Sequence, residues 1–140
     1  MILFDKEKQT FILRTKNTCY AFKIAHGRYL AHLYYGPEGG DIDFGYMPPK
    51  VSFMTTPQGM DDGDFSLETL PAEYAYYGTG DFRTTSLCIR TPDGDDNVMF
   101  YYESHRIFGG AEPLGGLPYA RAEEGGQTLE ISLFDGVCRC

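Results

Sequence analysis

The sequence predicts an all-β fold: an antiparallel β-sandwich with few or no helices. Two observations predict it. Wherever the apolar pattern is regular it has period two, as strands with one buried face require, and no segment sustains a helical period. Turn-forming Pro, Asp, Asn and Gly residues punctuate these short runs.

Taken in order, "TFILRT" at 10–15 gives a first short run around Ile12. In "TCYAFKI" at 18–24, Tyr20, Phe22 and Ile24 share a face opposite Cys19, Ala21 and Lys23, and His26-Gly27 then turns the chain. "RYLAHLYYG" at 28–36 is a mainly apolar strand. "SLCIR" and "NVMFYYESHRIF" flank "TPDGDD", whose Pro92, Asp93 and Gly94 predict a hairpin. "QTLEISLF" at 127–134 puts Leu129, Ile131 and Leu133 on one side and Glu130 and Ser132 on the other. Between Gly36 and Pro71 the pattern dissolves into a connection far longer than most. Phe44, Tyr46, Met47, Phe53, Met54, Met60 and Phe65 are too many apolar side chains for a solvated linker, so an ordered loop that meets another surface is expected.

Composition excludes several classes. The 140 residues are 42% hydrophobic, enough for one core, and the net charge is −8. Lys and Arg gather into no patch, which argues against nucleic acid and anionic membranes as partners. The start, "MILFDKEKQT", lacks the apolar stretch of a signal peptide, and no run could span a bilayer. Cys19, Cys88, Cys138 and Cys140 then read as reduced thiols in a cytoplasmic protein. Cys138 and Cys140 form a C-x-C with no second pair nearby to complete a metal site.

Catalytic motifs are missing. No serine elbow, phosphate loop or H-E-x-x-H occurs, and no cofactor is expected. Gly78-Thr79-Gly80 opens like a dinucleotide fingerprint, but Arg83 stands at its third glycine position. Acidic clusters occur around Asp41, Asp61 and Asp93; the two denser ones, at Asp61 and Asp93, lack the glycine and distal glutamate of a calcium loop, and all three read as solvated turns. His26, His32 and His105 read as structural imidazoles, His105 within reach of Glu103 or a neighbouring loop. Eleven tyrosines and ten phenylalanines with no tryptophan suit an aromatic β-core better than a sugar-stacking platform.

One stretch invites function. In "YGTGDFR" at 77–83, Gly78 and Gly80 permit a sharp turn that pushes Asp81, Phe82 and Arg83 outward, though the same residues also suit an ordinary turn running into a strand. The wider context, "SLETLPAEYAYYGTGDFR", then "YYESHRIFGGAEPLGGLP", then "QTLEISLFD", resembles the amino-terminal domain of bacterial α-galactosidases of glycoside hydrolase family 36. The early "FILRTKNTCYAFKI" and "YLAHLYYG" resemble that family's opening strands in the same order.

The resemblance implies a twisted β-sandwich over 1–135, part of a β-supersandwich with several further strands expected later in the parent chain, and an atypical tail at 136–140. It implies a (β/α)8 barrel outside this chain that cleaves terminal α-galactosides with retention, using two aspartates. The chain alone is then expected to be inactive. Unpaired strand edges and apolar surface predict self-association, as a dimer or tetramer, and the resemblance implies that the amino-terminal domain reaches a neighbouring subunit's active site. Asp81 would accept from hydroxyls of a galactoside oligosaccharide, Phe82 would form an apolar wall, and Arg83 would donate to hydroxyls or fix Asp81. Two rival readings are a stand-alone carbohydrate-binding module and a purely structural oligomerisation domain.

Overall fold

A computed structural model describes residues 1–39, 65–76, 83–118 and 124–136. Six strands order this part: β1 (Ile2–Asp5), β2 (Thr10–Arg14), β3 (Thr18–Ala25), β4 (Tyr29–Pro37), β5 (Tyr101–Gly109) and β6 (Gln127–Phe134). The first four form an antiparallel sheet in the order β1-β2-β3-β4, and β5 and β6 form an antiparallel ribbon. No helix occurs among the described residues, so the all-β expectation holds.

The strand β1 carries too little pattern to be read from its sequence. Its partner explains it: the turn after Asp5 is held by the Asp5 carboxylate, which accepts from the amides of Glu7 at 2.9 Å and Lys8 at 3.0 Å. Gln9 then takes a left-handed φ of 52° and closes the hairpin. At the next turn, His26 and Gly27 have φ of 51° and 67°, the conformation that glycine adopts without steric cost.

Two β-bulges decide which side chains share a face. In the β3–β4 ladder the register shifts after Ala21, so Tyr20 lies opposite Tyr35 and Phe22 opposite His32. An unbroken alternation would put His32 and Tyr35 on opposite faces, because they are an odd number of positions apart. In the β5–β6 ladder the shift falls between Tyr102 and Ser104, leaving Tyr102 opposite Leu133 and His105 opposite Ile131. Tyr102 and His105 thereby share a face, and the tyrosine oxygen lies 2.7 Å from His105 Nδ1. His105 therefore pairs with Tyr102, not with Glu103.

The two sheets meet through an aromatic core. Phe11 is fully buried; its ring stacks on Phe4 at 4.5 Å and on Phe22 at 5.0 Å, and meets His105 edge-on at 4.8 Å. Tyr102, Leu129 and Ile131 pack on this cluster from the ribbon. Two hydrogen bonds stitch the sheets: the Ile2 amide donates to Gln127 Oε1 at 2.8 Å, and the Tyr102 amide to the Arg28 carbonyl at 2.7 Å. On the opposite face of the first sheet, Ala25, Tyr29 and Ala31 pack against Phe65, Leu67 and Leu70.

The expected hairpin around Pro92 forms only at its tip. The Gly94 amide donates to the Thr91 carbonyl at 2.9 Å and Gly94 has φ of 85°. Arg90 clasps Asp96 across the turn at 2.8 and 3.0 Å, but the flanks pair in no ladder. Leu87, Ile89 and Met99 instead pack around buried Tyr76, Val98 and Phe100. Asp135, fully buried, accepts from the Met99 amide and so ties the end of β6 to this cluster.

Because Phe11 fills the space between the sheets, Phe11→Ala should cost about 3–5 kcal/mol of stability, the range for emptying an aromatic site in a packed core. Urea unfolding followed by tyrosine fluorescence measures it. A loss below about 1 kcal/mol would mean that the sheets do not depend on this contact.

Candidate functional site

The residues picked out by sequence are divided by the structure. Asp81 and Phe82 lie outside the described residues, as do 40–64 of the long connection. Arg83 is described, and it points back onto the fold. Its Nη1 donates to the Leu70 carbonyl at 2.7 Å and its Nη2 to the Leu67 carbonyl at 3.1 Å.

Those carbonyls belong to a single tight turn. The Leu70 amide donates to the Ser66 carbonyl at 3.2 Å, and the Ser66 and Thr69 hydroxyl oxygens lie 3.1 Å apart. The turn is fixed because Phe65, Ser66, Leu67 and Leu70 are buried. Proline at 71 cannot continue a helix, and the chain leaves as an extended stretch beside β4. The His32 amide donates to the Pro71 carbonyl at 2.6 Å, and the Glu73 amide to the Leu30 carbonyl at 3.0 Å. Ala31 and Ala72 form an antiparallel bridge between them.

Glu73 ends this stretch on the opposite face of the sheet. One carboxylate oxygen accepts from the Tyr20 hydroxyl, and the other lies 2.8 Å from His32 Nδ1. The rings of Tyr20 and His32 are 5.8 Å apart, and that of Tyr35 lies 6.2 Å from Tyr20, a cluster created by the bulge in β4. Burial pushes the Tyr20 hydroxyl well above the ordinary tyrosine pKa, and the Glu73 carboxylate pushes it further, since both penalise a phenolate. Sequence reasoning missed this cluster because Glu73 is distant in the chain from Tyr20 and His32. The extended bias that Pro71 imposes was the only local sign.

Beside the cluster, a groove of about 540 Å³ runs between the sheets. Leu13, Phe22, Leu30, Leu129 and Ile131 line it, with Tyr20 and Glu73 at its polar end. Such a lining suits apolar side chains better than sugar hydroxyls. His26 packs on the Phe65 ring at 4.2 Å, so each of the three histidines has a structural neighbour. Among the described residues no three His, Cys, Asp or Glu converge as metal ligands. No helix among them is long and apolar enough to cross a membrane.

The described residues thus form an all-β domain of two antiparallel sheets packed on an aromatic core, with Arg83 held on the turn at 66–70. The comparisons specify its family. Residues 28–140 match the family model of the glycosyl hydrolase family 36 N-terminal domain, and the chain belongs to that family. It is 36% identical to the bifunctional alpha-galactosidase/sucrose kinase AgaSK of Mediterraneibacter gnavus, over 96% of this chain and 15% of that protein. It is 32% identical to the alpha-galactosidase AgaA of Geobacillus stearothermophilus, over 97% of this chain and 19% of that one. Among solved structures it matches the family 36 alpha-galactosidase AgaB of Geobacillus stearothermophilus with a TM-score of 0.86 and 31% identity, over 98% of this chain and 19% of that one. The chain thus spans less than a fifth of the length of these relatives.

Because their neutral forms are favoured in the fold, Tyr20, Tyr29 and Tyr102 all have pKa values raised above the ordinary 10.0, chiefly by burial. Their stabilisation is fully present below that value and is lost as pH rises above it, where the unfolded chain ionises first. The urea midpoint should therefore fall above pH 10.0, and Tyr20→Phe should flatten the fall. An alkaline limb of the same slope in Tyr20→Phe would show that this hydroxyl is not protected.

Proposed function

We propose that this chain serves as the non-catalytic amino-terminal domain of an α-galactosidase that hydrolyses terminal α-galactosides. Its part is to aid oligomer assembly and to lend the loop that carries Asp81 and Phe82, with Arg83 at its base, to a neighbouring subunit's active site. Identity of 36% and 32% to α-galactosidases over nearly the whole of this chain supports the first half of the reading. The bracing of Arg83 on buried backbone supports the second, because a loop that must meet substrate across an interface needs a firm base.

The substrate class follows the relatives. Variants of AgaA have been crystallised with raffinose and with stachyose, both galactoside oligosaccharides. The domain proper is taken as 1–135 with a tail at 136–140, and the catalytic barrel as a separate part of the enzyme. Cys19 and Cys88 are free thiols, which supports a reducing, cytoplasmic setting. Assembly is supported by exposed apolar side chains: Leu114 and Leu117 on the loop between β5 and β6, and Tyr35 on β4, exposed to 56%, 63% and 69%.

In a full-length enzyme carrying this domain, Asp81→Ala should lower kcat/KM about ten- to a hundred-fold while melting normally, as expected for one lost hydrogen bond to a charged group. Mixing that variant with one lacking the barrel nucleophile should restore part of the activity, because a hybrid assembly offers an intact loop to an intact site. Full kcat/KM in the Asp81→Ala oligomer would reject the shared site. The 140-residue chain alone should not hydrolyse an aryl α-galactoside and should form dimers by light scattering. Turnover that copurifies with it, or a strict monomer across a wide concentration range, would contradict this reading.

A further inference from the structure

We infer that Arg83 is a positioning residue, whose guanidinium fastens the end of the 77–83 stretch to the turn at 66–70. The inference rests on the proposal that Asp81 and Phe82 serve a neighbouring active site, and it assigns Arg83 a different part from theirs.

The argument begins with the acceptors. A one-turn coil leaves its last carbonyls without partners inside the turn, and their dipoles converge to give a site of partial negative charge. Leu67 and Leu70 hold carbonyls at the end of this turn, that of Leu70 also accepting from the Ala72 amide at 2.8 Å, and their side chains are buried to 7% and 3% exposure, so the oxygens are fixed relative to β3 and β4. Arg83 offers two terminal nitrogens in a rigid planar fork, one to each carbonyl, at 2.7 and 3.1 Å. A lysine is a single charge on a flexible stem and cannot span both with fixed geometry.

The turn is itself anchored. Pro71 and Glu73 hydrogen-bond along the edge of β4, and the Glu73 carboxylate reaches Tyr20 on β3 and His32 on β4. An unbroken series of contacts thus runs from the second strand in from the edge to Arg83, the residue that follows Phe82. With two donors committed to buried backbone, the orientation of the guanidinium is set by the fold. Its charge faces the partial negative charge of the turn's carbonyls.

Native-state hydrogen exchange on the 140-residue chain tests this without reference to catalysis. In Arg83→Ala the amides of Leu70, Ala72 and Glu73 should exchange roughly tenfold faster, while those of β2 and β3 keep their protection. Should Arg83→Ala fail to fold, Arg83→Lys should show the same local loss in a folded chain. Unchanged protection at the three amides, or full protection in Arg83→Lys, would overturn the inference.

The full-length enzyme separates this inference from the reading beneath it. Arg83→Ala and Arg83→Lys should lose kcat/KM to similar extents, and Glu73→Gln should lose it too. Combined with Arg83→Ala, the Glu73→Gln loss should be less than additive, because both act through one segment. If Asp81→Ala loses activity while Arg83→Lys keeps it all, the shared site stands and the positioning role fails. If Asp81→Ala keeps full activity while the exchange at Leu70 rises in Arg83→Ala, the brace exists and the shared site fails.

Discussion

Residues 71–73 lie along the outer edge of β4, and their attachment turns a stretch of coil into part of the sheet. Three features make the attachment. Backbone hydrogen bonds run in both directions, from His32 to Pro71 and from Glu73 to Leu30. The Glu73 carboxylate joins them through Tyr20 and His32 on the inner face of the sheet. On the outer face, Phe65, Leu67 and Leu70 cover Ala25 and Ala31, whose small side chains let a second layer approach closely. Edge strands expose unpaired amides and carbonyls, and here a proline-led segment covers part of that edge while carrying the chain toward Arg83.

Much of the fold was legible in residue order. The face shared by Tyr20, Phe22 and Ile24 in β3, and that of Leu129, Ile131 and Leu133 in β6, follow from alternation and are the faces that meet in the core. Two things were not legible. A bulge breaks period two by one residue, so neither the joining of His32 with Tyr35 nor that of Tyr102 with His105 can be read from spacing. The "SLCIR" flank of the expected hairpin has strand-like residues but packs them around Tyr76, showing that β-propensity measures fit to a half-buried surface more than a ladder.

The candidate site was legible in a different sense. Arg83 drew attention by its place after two glycines, and a fingertip reaching outward was one natural reading. Its acceptors are backbone oxygens thirteen and sixteen residues earlier, which have no side-chain signature. The resemblance to family 36 domains identified the stretch as distinctive without distinguishing a residue that touches sugar from one that holds the loop. The guanidinium's engagement with the carbonyls of buried leucines supports the positioning part inferred for Arg83, with Asp81 and Phe82 as the residues proposed to meet substrate.

The central claim is that this β-domain lends a braced loop to a neighbouring subunit's galactoside site. A crystal structure of the intact oligomeric enzyme with bound raffinose tests it most directly. The account predicts the Asp81 carboxylate within hydrogen-bonding distance of sugar held in the neighbouring subunit's barrel, with the Arg83 guanidinium still on the carbonyls of Leu67 and Leu70. Asp81 facing solvent away from every bound sugar, with Arg83 detached from the turn, would contradict it.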